Sequence, residues 1–128
     1  MATRHDQTVA DYIEANSSET AFYGPIPEGS GDVIVGCRLN GGGASRGRYD
    51  GGQKYIREPR VRVIVRGERD DFEAARDRAL DLQTLLDGAT PSGYLDMRVV
   101  GSSPTEIQPD DNGRPRLTFN VKLLIDEA

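Results

Sequence analysis

Glu58-Pro59-Arg60-Val61-Arg62-Val63-Ile64-Val65-Arg66-Gly67, running on to Leu85-Leu86-Asp87-Gly88, holds the two strongest secondary-structure signals in the chain. Residues 60–66 alternate. Val61, Val63 and Val65 fall on one face of a strand, and Arg62, Ile64 and Arg66 on the other. Pro59 marks the strand's start. The period then changes. Phe72, Ala75, Ala79, Leu82 and Leu86 step by three and four along one stripe, with Leu85 beside it, which predicts a long helix over about residues 71–87. Asp70 or Asp71 caps its start, Glu73 complements its dipole, and Gly88 ends it.

Downstream, residues 94–101 predict a strand with Leu95, Met97 and Val99 inward, and residues 104–109 are expected to be extended. Asn112-Gly113 is a hairpin turn signal. Residues 115–126 then form a strand with Leu117, Phe119, Val121, Leu123 and Ile125 on one face and Thr118, Asn120 and Lys122 on the other. Upstream, residues 33–39 predict a strand with Val33, Val35, Cys37 and Leu39 on one face, and residues 20–32 are turn-rich and extended. Val9, Tyr12 and Ile13 mark a short helix over residues 8–16, with Thr8 as its cap. The strand–helix–strand unit in the middle should be a parallel crossover if its strands share a sheet. These elements predict a single α+β (or α/β) domain spanning residues 1–128. In it, a mixed sheet is covered on one face by the long helix and the short N-terminal helix. Between the first two strands, residues 40–54 (NGGGASRGRYDGGQK) include six glycines and predict a long flexible loop.

Composition excludes more than it assigns. A chain of 128 residues suffices for one domain, and 36% hydrophobic residues make a thin core. No apolar run reaches membrane-spanning length, and MATRHDQTVADY lacks the apolar stretch of a secretory signal, so a soluble protein made in the cytoplasm is expected. One Cys and one His cannot build a zinc site. His5 is expected at a frayed end, and Cys37, inside VIVGC, is expected to be a buried small hydrophobe. GGGASRGRYDGG is followed by neither Gly-Lys-Ser/Thr nor a helix pattern, so no nucleotide site is expected. Asp110-Asp111-Asn112-Gly113 lacks calcium-loop spacing and reads as the hairpin turn. Glu73, Asp77 and Asp81 lie four residues apart on the helix's polar face with no second carboxylate-bearing helix to complete a metal pair. No nucleophile elbow and no Glu-x-Lys occur. No catalytic residue, metal or cofactor is therefore expected, and no enzyme.

Charge is distributed unevenly under the net −5. Residues 1–37 carry one basic and six acidic side chains, residues 38–66 eight basic and two acidic, and residues 67–128 seven basic and thirteen acidic. Copies of such a chain can attract one another, positive segment to negative segment, in a ring or a stack. The alternative is that the arginines simply solvate an exposed face. Arg46, Arg48, Tyr49, Lys54, Arg57, Arg60, Arg62 and Arg66 are the candidate protein-interface residues. A basic arm of this kind also allows sequence-independent contact with DNA phosphates.

The order of these pieces resembles one family. Tyr23-Gly24-Pro25-Ile26-Pro27 precedes a strand and a Gly-rich loop. Then follow Glu58–Gly67, the helix ending Leu85-Leu86-Asp87-Gly88, and an Asp-Asp-Asn-Gly-Arg hairpin into Leu117-Thr118-Phe119-Asn120-Val121. From about residue 8 to 126 the chain is similar to the tail terminator (minor tail or minor capsid) proteins of long-tailed bacteriophages and related tailed viruses. The resemblance implies a structural virion protein, located in the tail at the head–tail junction. Such proteins form a homo-hexameric ring on the head-proximal end of the tail tube. The ring ends tube polymerisation and presents the docking surface for the head connector. The implied partners are its own copies, the tail-tube protein and the head-side connector, with no cofactor, small-molecule ligand or membrane. Another head–tail joining protein (a connector or completion factor) is the nearest alternative. A monomeric ligand-binding α+β domain is the alternative of another class, and a chain without Trp gives no sign of the apolar pocket it needs.

Overall fold

The computed structural model describes residues 4–27, 29–47 and 55–127, with side chains at 4–27, 29–41 and 58–125. Among these, two helices and five strands occur in the order α1 (His5–Asn16), β1 (Ala21–Tyr23), β2 (Ile34–Gly47), β3 (Tyr55–Arg66), α2 (Phe72–Leu86), β4 (Asp96–Ile107) and β5 (Arg116–Glu127). The strands form one mixed sheet in the order β1-β2-β3-β5-β4. β1 runs parallel to β2, and the remaining neighbours are antiparallel. The expected crossover takes a split form. β3 and β4 point the same way, but β5 lies between them and hydrogen-bonds to both. The α+β reading of a sheet with helices on one face is the architecture found.

Alternation builds the core. Val35 and Cys37 of β2, Val61, Val63 and Val65 of β3, Met97 of β4, and Leu117, Phe119, Val121 and Leu123 of β5 form one buried layer. Both helices pack on it. α2 contributes Ala75, Ala79, Leu82 and Leu86, and α1 contributes Val9, Ala10 and Ile13. Each large aliphatic side chain buried this way contributes about 1.5–3 kcal/mol of transfer free energy. The small alanines of α2 let its backbone approach the sheet closely. Cys37 is fully buried, and that burial pushes its thiol up to about 12, so it is a packing residue and not a nucleophile.

The ends of the elements explain where the sequence reading shifts. The Asp71 carboxylate accepts from the Ala74 backbone N–H at 3.3 Å and starts α2, which spans 15 residues. Gly88, at φ 82°, ends it and donates to the Met97 carbonyl at 2.7 Å. α1 begins earlier than expected. Arg4, not Thr8, stands at its N-cap, and Thr8 Oγ1 donates back to the Arg4 carbonyl within the first turn. His5 is correspondingly not frayed, because its Nδ1 lies 2.7 Å from the Tyr94 hydroxyl. Val33 and Leu39 were expected inward beside Val35 and Cys37, but are 40% and 55% exposed, and Val33 precedes β2. Leu95, half exposed, precedes β4 rather than packing inside it.

The largest difference falls at the Gly-rich segment. Residues 40–47, expected as part of the loop 40–54, continue β2 and pair with the start of β3. Two register shifts, between Leu39 and Gly42 and between Gly43 and Arg46, each place one extra residue on β2. Gly41, at φ 67°, sits in the first of them.

Candidate functional site: an open cationic sheet face

The helices cover one side of the sheet, and register decides what the other side carries. Arg60, Arg62, Ile64 and Arg66 alternate with the buried valines of β3 and all face outward. Across the ladder Arg38 stands opposite Arg62, Arg60 opposite Lys122, Lys122 opposite Arg98, and Arg66 opposite Arg116. Cations are thus paired directly with cations over four adjacent strands. Cross-strand like charges lower stability by a few tenths of a kcal/mol to about 1 kcal/mol each. Among the described residues Arg38, Arg60, Arg62 and Lys122 make no salt bridge. Arg62 Nε donates to Thr118 Oγ1 at 3.0 Å, which holds it flat on the face. Asn40 bridges to Asn120 at 2.7 Å.

One end of this face is braced from within. Arg66 donates to the Gly31 and Asp32 carbonyls at 2.7 and 3.1 Å and lies 4.0 Å from Asp110. Burial and the nearby Arg114 draw it below the usual guanidinium value. Arg114 joins Asp110 at 2.7 Å and Asp32 at 3.0 Å, and Arg116 holds the Gln108 carbonyl. Ile26 folds over Gly36, leaving beside it a cavity of about 200 Å³ that Arg38, Arg66 and Arg116 line. Arg66 is therefore a brace for the turn at 31–32, and Arg38, Arg60 and Arg62 are the cations that the face presents.

Of the sequence candidates, Arg60, Arg62 and Arg66 come together on this face. Arg46 and Arg57 are placed in the β2–β3 hairpin by backbone only, and Arg48, Tyr49 and Lys54 lie outside the described residues. The sequence reading left out Arg38, Arg98, Arg116 and Lys122. Their outward positions on β2, β4 and β5 are individually legible, but only strand order brings them beside β3. On the far side of the molecule, the outer surface of α2 is acidic, with Glu73, Asp77 and Asp81 all exposed. Among the described residues no cluster of three or more potential metal ligands occurs, and no helix is long and apolar enough to cross a membrane.

Among the described residues, three aspartates couple this structure to pH. Burial pushes Asp6 and Asp110 up, but hydrogen bonds outweigh it: from Arg4 and the Gln7 N–H to Asp6, and from Arg114 and the Asn112 N–H to Asp110. Both carboxyls end below the usual range. The Arg98 hydrogen bond lowers Asp96 likewise. A depressed carboxylate stabilises the fold above its unfolded pKa of about 4 and ceases to do so as pH falls through the folded value. Unfolding by urea should therefore give a nearly constant midpoint from pH 7 to about 5, and a falling one below about 4. Asp110→Asn should make that acid limb shallower.

The profile of the family "Bacteriophage tail terminator protein" matches residues 5–127, nearly the whole chain. No curated protein sequence matches it. Among solved structures, a chain of the "Virion of native gene transfer agent (GTA) particle" superposes with a TM-score of 0.61 at 14% identity, covering 96% of this chain and 87% of that one. At that identity the likeness shows a shared fold. The chain belongs to the bacteriophage tail terminator family, whose members are virion-associated structural proteins of the tail, acting through contacts with other tail and virion proteins rather than as enzymes.

Proposed function

We propose that this protein assembles as a homo-hexameric ring on the head-proximal end of the tail tube, ends tube polymerisation there, and offers the docking surface for the head connector. It is assembled from protein made in the host cytoplasm and stays at the head–tail junction. The observation that carries this reading is the family match across residues 5–127. The cationic face supports it. A row of cations facing cations is costly in an isolated molecule and is relieved when an acidic protein surface covers it. Arg60 and Arg62 belong to that interface, and Arg46, Arg48, Tyr49, Lys54 and Arg57, nearby in the sequence, extend it.

Electron microscopy of purified tail tubes polymerised with and without the protein tests the reading. The expected result is a blunt ring at one tube end and a narrowed length distribution. Tubes that lengthen unchanged and carry no terminal density would overturn it.

A further inference from the structure

The two sides of the molecule carry opposite charge. The open sheet face presents Arg38, Arg60 and Arg62, and the outer ridge of α2 presents Glu73, Asp77 and Asp81. We propose that the acidic α2 ridge of one copy seats on the cationic sheet face of the next, so that subunits join front to back. This rests on the ring reading above and names the two surfaces that make the ring.

Three observations carry it. The first is pitch. Residues four apart on a helix rise about 6 Å, and residues two apart on a strand about 6.8 Å. Asp77 and Asp81 therefore match Arg60 and Arg62 in spacing. The second is that both surfaces carry little internal compensation. Among the described residues Arg38, Arg60 and Arg62 make no salt bridge, and Asp77 has only the exposed Arg76 at 3.6 Å. The third lies beside the ridge. An open groove of about 550 Å³ runs between α2 and β4, lined by Leu80, Gln83, Thr84, Asp87, Val99 and Gly101 among others. Gln83 is 8% exposed and its Nε2 has no hydrogen-bond partner among the described residues. A buried amide donor left this way marks a place where a neighbouring chain supplies an acceptor or reorganises the groove. Leu80, 39% exposed, gives the ridge an apolar contact next to its carboxylates. Because the two surfaces are different, the contact is heterologous, and it closes into a ring when the rotation between successive copies divides the full circle. DNA is the less suitable occupant, since the whole chain carries −5 and only one side attracts a phosphate backbone.

The test uses two double variants of the full chain, Arg38→Glu with Arg60→Glu and Asp77→Arg with Asp81→Arg, scored by capping of tail tubes in electron microscopy. All four positions are exposed, and thermal melts verify that each variant folds. Each variant alone is expected to need at least about tenfold more protein to cap tubes, because its own two surfaces now repel. An equimolar mixture is expected to recover capping, since every alternating contact is again of opposite sign. Two variants that each cap at wild-type concentrations would overturn the pairing while leaving the ring reading intact. So would a mixture as inactive as its components, and if the Arg38/Arg60 variant had then also lost a mobility shift with duplex DNA, DNA would be the occupant of the face. Wild-type protein that caps no tubes would overturn the ring reading itself, a separate outcome read in the same grids.

Discussion

Gly67→Ala is expected to destabilise the protein by about 1–3 kcal/mol, an unusually large effect for a single added methyl. Gly67 is buried where β3 ends and the chain turns toward α2. A Cβ placed there would lie 2.8 Å from the Ala75 Cβ, with the Asp71 carbonyl oxygen and Pro115 Cγ each at 3.5 Å. The first contact is below any distance that two such carbons tolerate, and neither side can swing away. Ala75 Cβ is fixed by the α2 backbone, and the Gly67 N–H is tied to the Pro115 carbonyl at 3.0 Å. Relief requires α2 to move off the sheet, which opens the contacts of Ala79 and Leu82 as well. For a domain of this size the melting temperature should fall by roughly 3–10 °C. A double-mutant cycle with Ala75→Gly checks the cause. That variant alone should cost about 1 kcal/mol in helix propensity, but it removes the opposing methyl. Gly67→Ala in the Ala75→Gly background should then be nearly neutral, and simple additivity of the two losses would place the clash elsewhere.

How much of this molecule the sequence announces depends on how local each signal is. α2 is read almost to the residue, because the three-four stripe is complete within it and Asp71 and Gly88 close it. The alternation likewise places the end of β3, but Pro59 does not start that strand, which begins at Tyr55 because the residues ahead of the proline still pair with the glycine-rich end of β2. β5 is equally clear from its alternation. The continuation of β2 through Gly47 is illegible by periodicity, since glycines carry no side chain whose alternation could be counted. Their backbone groups still pair with β3, and a ladder needs nothing more. The bulges absorb the extra residues. Val33 and Leu39 show the converse: the alternation is real, but burial also needs a covering element, and both stay exposed.

The cationic face was legible in part. The concentration of arginine between residues 38 and 66 is a property of the sequence, and Arg60 and Arg62 follow from the strand they lie on. Lys122 and Arg98 join them only because β5 inserts between β3 and β4, which no local pattern states. Arg66 looked equivalent to Arg62 and is not. The turn at 31–32 folds over its guanidinium and uses it as a hydrogen-bond donor. The same strand face therefore contains both a presenting part and a braced part, and long-range packing divides them.

The brace extends through the backbone of Arg66 to a forked, part-buried ion pair, and removing that pair's cation should have the other large effect. Arg78 of α2 grips Glu19 with Nε at 2.8 Å and Nη2 at 2.6 Å, and its Nη1 donates to the Arg66 carbonyl at 2.9 Å. Side-chain exposures are only 19% and 14%, so solvent screens the pair weakly. Glu19 lies just before β1, Arg66 ends β3, and Arg78 sits midway along α2, so one guanidinium ties α2 to the end of β3 and to the approach to β1. Arg78→Met keeps most of the stem's packing but strands a largely buried carboxylate and removes one donor from the Arg66 carbonyl. It should cost about 2–4 kcal/mol. Arg78→Lys should recover little of that, because an ammonium cannot fork to both Glu19 oxygens and the carbonyl together. Adding Glu19→Leu to Arg78→Met should restore much of the loss, since the penalty comes chiefly from the stranded charge rather than from the absent attraction. Urea unfolding of the wild type, these three variants and Glu19→Leu alone measures the coupling. If Arg78→Met and Arg78→Met/Glu19→Leu proved equally unstable, the stranded carboxylate would not be the cause, and the loss would lie in the missing bond to the Arg66 carbonyl at the end of β3.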